Sequence, residues 1–429
     1  MGNMKLVKGS KIILVPYPAQ GHVNPMVKLA LALLKLGFEP VMITPEFIYH
    51  SITSSMDPKG KIMCMAITDG LKKDNVPPDF FAIEKAMETN MPNHLETLVH
   101  KIDGEDGAVA CIIVDLLASS AIEVARRCRI PSPDFGLHDY HIPDDRRHTR
   151  HGSPQRPGPI CFLPNQPLLS TDDLPWLIGT PAARKARFKF WTRTLNRSRN
   201  LRWILMNSFS EENLYDQLSI TGNKPLVFLV GALSRHAIIK NPSIWKEDMS
   251  SLQWLDKQKP KSVVYISFGS WVRPIGEAKV RCLALSLEAM GQPFIWVLGP
   301  AWREGLPGGY LERVSKKGKV VSWAPQMEVL QHQAVGCYLT HCGWNSTMEA
   351  IQCQKRLLCH PVAGDQFVNC AYIVEKWKIG VKINGFAQKD VEEGLQKVMD
   401  DNEMNRRCVS MIWDGMEVNG EVMECKIAV

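Results

Sequence analysis

No stretch of the 429-residue chain approaches 18 uninterrupted apolar residues, so no transmembrane helix is expected. The first apolar run, Lys11 to Val15, stops at Pro16 and is too short for the hydrophobic region of a signal peptide. No block of five or more cations marks a nucleic-acid arm, and 51 basic against 44 acidic residues leave a mild net charge of +7. There are twelve cysteines but no CxxC pair, which removes zinc-ribbon and thioredoxin readings. No GxGxxG follows the first apolar strand, which disfavours an NAD dehydrogenase. No DxD follows a strand either, so a divalent-metal clamp on a diphosphate is not indicated.

The remaining composition is that of a globular enzyme. Hydrophobic residues make up 45% of the chain, charged residues 22% and aromatics 8%, which excludes wholesale disorder. At roughly 100–200 residues per domain, the length suggests two or three domains. The cysteines are dispersed, and several lie in apolar runs, as Cys111 does before Ile112 and Cys337 before Tyr338. That is the pattern of buried thiols in a reducing compartment, and the expected location is the cytosol.

Short apolar runs alternate with helical periodicity, which predicts βαβ units and parallel sheets. Lys11–Val15 reads as a strand, followed by a loop through Gly21 and His22 and a helix from about Pro25 to Leu36, with Asn24 as N-cap and Gly37 as stop. Strands are expected at 41–44 and 110–115, with a helix at 119–127. The pattern restarts with strands at 262–267, 294–298, 319–322, 336–340 and 357–359, and a helix at 277–290. Residues 234–250 read as a linker between domains 1–233 and 251–429. The expected fold is α/β, with two doubly wound, Rossmann-like domains facing one another across a cleft. Segment 133–159, rich in His, Asp, Arg and Pro, reads as an exposed loop that forms no buried element.

The richest stretch runs from Trp323 to Gln366. A strand ending at Thr340 leads into His341-Cys342-Gly343-Trp344-Asn345-Ser346-Thr347, and a helix carrying Glu349 follows. Backbone N–H groups at a helix start attract an anion, and Gly343 permits close approach. His341, Asn345 and Ser346 add donors, so a diphosphate is a sensible ligand. Glu349 is placed to accept from ribose hydroxyls, and Trp323 offers a flat face for a base. An ordinary capped helix with core aromatics is the plainer reading of the same residues.

This stretch resembles the signature box of plant family 1 glycosyltransferases, in register over all 44 residues from Trp323 to Gln366. Looser resemblance covers nearly the whole chain, including Pro18-Ala19-Gln20-Gly21-His22-Val23-Asn24-Pro25 and Ser267-Phe268-Gly269-Ser270. The resemblance implies the GT-B fold, with the acceptor in the N-terminal half and the nucleotide sugar in the C-terminal half. Trp323 would stack on uracil, and Ala324 and Gln326 would bond the base or ribose. Glu349 would hold the ribose; His341, Asn345, Ser346 and Ser270 would hold the diphosphate. Trp344, Asp365 and Gln366 would read the sugar hydroxyls, and a terminal Gln in the box favours UDP-glucose. His22 would be the general base, oriented by Asp115, although Asp115 alone also reads as a helix N-cap.

The implied activity is inverting, metal-independent glucosyl transfer from UDP-glucose to a small hydroxylated plant metabolite such as a flavonoid, other phenolic, terpenoid or hormone. No metal or other cofactor is expected. His138, His141, His148 and His151 form two HxxH pairs, but Pro143 and the polar composition argue against the helix that would align them. Three departures from the family open an alternative, an impaired homologue that keeps nucleotide-sugar binding. Gln354-Lys355-Arg356 stand where the box usually has Gly-Val-Pro, and His360 where it has Trp. The charge-rich 133–151 replaces an apolar acceptor-lining stretch, the product expected of a compensated reading-frame slip. The C-terminus from Met416 to Val429 is weakly periodic where the family ends in a helix that returns to the N-terminal domain.

Overall fold

The computed structural model describes residues 8–416 apart from 57–61, 72–77, 106–107, 137–166, 171–172, 175, 178, 200, 209–225, 231–244 and 271–274. The histidine pairs and most of segment 133–159, most of the 234–250 linker, and the tail after Met416 therefore lie outside the described residues. The chain divides into two compact units. One comprises Met1–His138, Phe188–Trp245 and Gly415–Val429; the other comprises Asp139–Arg187 and Lys246–Asp414. The sequence reading instead draws a single domain over 1–233.

The first unit is built on a seven-stranded parallel sheet in the order β3-β2-β1-β4-β5-β6-β7. Its strands are β1 (Lys11–Val15), β2 (Glu39–Pro45), β3 (Met63–Ile67), β4 (Val109–Asp115), β5 (Asp134–Gly136), β6 (Trp203–Met206) and β7 (Leu226–Leu229). Ile12, Ile13, Leu14 and Val15 are all buried, so β1 is apolar on both faces, as a central strand covered by helices must be. Those helices include α1 (Gln20–Lys35), α2 (Glu46–Met56), α3 (Phe80–Thr89), α4 (Met91–Glu105), α5 (Ser120–Arg127) and α6 (Pro181–Ser198).

Two expectations are corrected in this unit. Helix α1 starts at Gln20, not Pro25; Ala19 is its N-cap and Pro25 lies inside it. Pro25 has no N–H to donate one turn back to Gly21, yet burial of Val23, Met26, Val27, Ala30 and Leu33 along the same helix outweighs that lost bond. His22 thus sits in a first helical turn rather than a loop. The second correction is β5. Asp134–Gly136, at the start of the segment read as an exposed loop, pairs with β4 and β6. The N–H groups of Ile112 and Val114 bond the carbonyls of Pro131 and Pro133, guiding the chain into the sheet. Parallel pairing of three residues needs backbone groups, not an apolar period.

The second unit holds a six-stranded parallel sheet in the order β10-β9-β8-β11-β12-β13. Its strands are β8 (Val263–Ser267), β9 (Phe294–Val297), β10 (Gly318–Val321), β11 (Val335–Thr340), β12 (Arg356–Cys359) and β13 (Gly380–Lys382). Helices α7 (Ser250–Leu255), α8 (Glu277–Met290), α9 (Tyr310–Val314), α10 (Gln326–Gln331), α11 (Trp344–Gln352), α12 (Gln366–Ala371), α13 (Gln388–Asp400) and α14 (Asn402–Met416) surround it. Helix α8 spans 277–290 as its sequence predicts, and ends at Gly291 in the left-handed conformation glycine adopts freely. Trp296, Tyr265 and Phe294 anchor the core. No described helix is long and apolar enough to cross a membrane.

Candidate active site

In each sheet the strand order reverses direction at one place, between β1 and β4 in the first and between β8 and β11 in the second. Doubly wound sheets bind ligands beyond the carboxyl ends of strands at such switch points. His22 and Asp115 fall there in the first unit and Ser270, His341, Asn345 and Ser346 in the second, while Trp323 to Gln326 follow the edge strand β10 and Asp365 and Gln366 follow β12.

In the first unit, β1 leads into the turn that opens α1, and β4 ends at Asp115. Because Val15 and Val114 are paired in register, the two chain ends emerge side by side. His22 Nδ1 lies 2.9 Å from Asp115 Oδ2. The Asp115 side chain is 1% exposed and the His22 ring 19% exposed, so the pair has a buried anchor and an accessible tip. The other carboxylate oxygen, Oδ1, accepts from the Leu117 N–H at 2.9 Å, capping the short 3₁₀ turn Leu116–Ala118. Asp115 is therefore both the helix cap and the histidine's partner, one oxygen for each. The carboxylate selects the tautomer with a proton on Nδ1, which leaves Nε2 as the basic atom. Tyr17 braces the imidazole edge-on, with ring centroids 5.3 Å apart.

In the second unit, His341 follows β11 and is packed between two glycines. A Cβ on Gly269 would lie 2.7 Å from His341 Nε2, and one on Gly343 2.5 Å from it, closer than real Cβ contacts allow. Burial holds the imidazole pKa down to about 4, so the ring is neutral near pH 7 and presents N–H and lone pair rather than charge. Helix α11 begins directly after Gly343, and its first-turn N–H groups include those of Trp344, Asn345 and Ser346. Asn345 and Ser346 are half-buried, as is Ser270 beyond β8. The Trp344 indole is 3% exposed and packs at 6.3 Å from Trp377, so its ring belongs to the core.

Glu349, one turn into α11, is buried and accepts from Gln326 Nε2 at 2.7 Å. The same Nε2 donates to Ser346 Oγ at 3.0 Å, while Gln326 Oε1 accepts from the hydroxyls of Tyr265 and Tyr338, each at 3.2 Å. The Gln326 amide is thus engaged inside the protein, where it holds Glu349 in place. Trp323 is half-buried just past β10, its carbonyl accepting from the Asp248 N–H at 2.9 Å, and Ala324 is buried beside it. Gln366 Oε1 accepts from the N–H groups of Val362 and Ala363, both at 2.9 Å, and Asp365 Oδ2 accepts from Asn369 at 2.8 Å.

The cations of Gln354-Lys355-Arg356 do not lie at this end of the sheet. Lys355 precedes β12 and Arg356 is its first residue, at the amino end of the strand and opposite the end that forms the switch point. Lys355 Nζ bonds the carbonyls of His332 and Val335, at 3.3 and 2.9 Å. Arg356 Nη1 bonds those of Met399 and Asp401, at 2.8 and 3.5 Å. Gln354 has φ +54°, the left-handed conformation that the usual glycine supplies without strain. The sequence leaves open whether these residues flank the site harmlessly or disturb it; the structure places them at the far end of α11. His360 is buried, its ring tilted against that of Phe386 with centroids 4.3 Å apart, and bonded to the Ile383 carbonyl.

Sequence reasoning missed Gly269, Tyr265 and Tyr338. Gly269 has a legible signal, a glycine just past an apolar strand, whereas the tyrosines read only as strand residues.

Comparison with known proteins gives the class of protein to which this fold belongs. The family described as UDP-glucoronosyl and UDP-glucosyl transferase matches residues 245–414. UDP-glycosyltransferase 82A1 of Arabidopsis thaliana is 49% identical over 438 residues, covering 94% of each chain. The 7-deoxyloganetin glucosyltransferase of Gardenia jasminoides is 27% identical, covering 92% of this chain and 90% of its own. Among solved structures, Os79 of O. sativa in complex with UDP superposes with a TM-score of 0.83 at 24% identity, covering 97% of this chain and 99% of its own. The chain belongs to the plant family 1 UDP-glycosyltransferases and is a glycosyltransferase.

Proposed function

We propose that the protein transfers glucose from UDP-glucose to a hydroxyl of a small metabolite, with inversion and without a metal. The observation that carries this reading is the His22–Asp115 pair at the switch point of the first sheet. His22 Nε2 takes the proton of the acceptor hydroxyl, and the Asp115 carboxylate stabilises the imidazolium that forms. The acceptor oxygen attacks the anomeric carbon as the bond to the diphosphate oxygen breaks, and UDP leaves with the electron pair. Attack opposite the leaving group gives a β-glucoside.

On the donor side, Trp323 stacks on uracil and Ala324 bonds its edge. Glu349, fixed by Gln326, accepts from the ribose hydroxyls. Neutral His341, Ser270, Asn345, Ser346 and the start of α11 hold the diphosphate. Asp365, Gln366 and the Trp344 N–H meet the sugar. Glucose is favoured by Gln366 at the end of the box, and by a relative whose name states glucosyl transfer to 7-deoxyloganetin, a small molecule. None of the ten described cysteines is in a disulfide, which fits the cytosolic setting proposed here.

Calorimetric titration with UDP-glucose in the presence of EDTA, followed by product detection over a panel of phenolic, flavonoid, terpenoid and hormone acceptors, tests this reading. Binding with a glucosylated product is the expected result. Binding without product from any acceptor supports the impaired homologue instead, and absence of binding by folded protein overturns both.

A further inference from the structure

Beside the donor residues, the second unit gathers three thiols that the transfer reaction does not use. Cys342 follows β11, Cys359 ends β12 and Cys370 lies in α12, and their Sγ atoms all lie within 4.8 Å of one another. Cys342 and Cys359 are fully buried and Cys370 is 1% exposed; none is in a disulfide. Cys342 is held at φ +66°, a conformation glycine takes freely and cysteine only at a cost. The fold thus keeps a thiol where a strain-free residue would carry none.

We propose that Cys342, Cys359 and Cys370 form a buried three-thiolate site for a single copper(I) ion. Three sulfurs about 2.3 Å from a metal in one plane stand about 4.0 Å apart, so the cluster closes on an ion with movement of less than about 1 Å. All-sulfur ligand sets select soft ions. Zinc in a closed site requires a fourth ligand, and no fourth His, Cys or carboxylate among the described residues joins these three. The adjacent His360 has Nδ1 on the Ile383 carbonyl at 3.2 Å and Nε2 against the Lys279 ammonium at 3.4 Å. Burial also withholds water from the fourth position, whereas copper(I) is satisfied by three thiolates.

Binding replaces S–H bonds by S–Cu bonds and releases the thiol protons to solvent, with copper remaining in the +1 state. An ion here ties the turn after β11, the end of β12 and helix α12 together. Those are the elements that carry His341, Gly343 and Gln366, so occupancy stiffens the donor side without touching the donor.

The site stands apart from the identity of the transferred sugar. The reduced full-length protein, titrated anaerobically with copper(I) against bicinchoninate, is expected to withhold one ion per chain from the chelator. Cys337→Ser, which changes a buried thiol elsewhere in the same sheet, should retain it, and Cys359→Ser and Cys370→Ser should each surrender it. Each variant is first shown to bind UDP, so that loss of the ion is not loss of the fold. Wild-type protein that yields all its copper, or cysteine variants that hold it as well as wild type, overturns the proposal. If a serine variant fails to fold, X-ray absorption at the copper edge of the loaded wild type decides. Three sulfur neighbours support the site, and two sulfurs or any nitrogen ligand sink it.

Discussion

The two sheets place a histidine at the same topological position and give it opposite electrostatics. His22 stands at the β1/β4 switch point against a buried carboxylate 2.9 Å away, with its ring partly open to solvent. That neighbourhood sets a buried acidic side chain against the ring. His341 stands at the β8/β11 switch point between Gly269 and Gly343, with burial holding its pKa at about 4. That neighbourhood keeps the ring neutral. The comparison teaches that topology supplies the place, while the immediate neighbours decide whether a histidine moves a proton or only donates a hydrogen bond.

The largest effect should come from the charged side of the comparison. His22→Ala is expected to lower transfer by roughly 10²–10⁴-fold while UDP affinity stays within about twofold. Asp115→Asn should follow it in direction, through loss of the tautomer it fixes. Initial rates and calorimetry on both variants check this, and a parallel loss of UDP binding would remove His22 from the role of base.

The neutral side predicts a pH dependence. The His341 pKa in the folded chain lies below the roughly 6.5 of an unfolded histidine, so the unfolded state takes the proton first as pH falls. The stability contributed by the neutral ring is fully present above about pH 6.5 and is lost on descent toward pH 4, by up to about 3 kcal/mol. Urea unfolding at pH 7 and pH 4.5 should show a steeper loss for wild type than for His341→Gln. Equal slopes would place the acid sensitivity elsewhere.

If Glu349 holds the ribose as proposed, Glu349→Ala should weaken UDP binding by about 1.5–3 kcal/mol, or roughly 10- to 150-fold. Unchanged affinity in calorimetry would mean that Gln326 orients Glu349 away from the ligand. The smallest expected effect lies at the far end of α11. Gln354→Gly relieves a left-handed residue and should raise stability by about 1 kcal/mol with no change in UDP affinity. A urea midpoint that stays put would show that Gln354 makes compensating contacts.

Much of this was legible in the residue pattern. Apolar runs bounded by Gly, Pro and Asn located most of the core strands to within a residue or two, because a strand covered on both faces must be apolar throughout. The long box from Trp323 to Gln366 marked the donor residues as a set. Less legible were features that depend on who meets whom. Helix α1 absorbs Pro25 because its other residues are buried, which no local rule for proline reports. Strand β5 is three residues, Asp134–Gly136, too short for its pairing with β4 and β6 to leave a period in the sequence. Lys355 and Arg356 bond carbonyls near the amino end of β12, away from the carboxyl ends of the strands, a placement that their charge alone does not reveal.

The sequence by itself determined the fold class, the two restarting βαβ patterns and the residue types available for chemistry. Hydrophobic periodicity and turn residues act locally and are therefore written in the order of the chain. Only the tertiary structure decided that Asp115 divides its oxygens between a cap and His22, that two glycines 74 positions apart flank His341, and that three cysteines from three elements share one pocket of the core. Such meetings are set by sheet order and register, which bring together residues that no spacing along the chain relates.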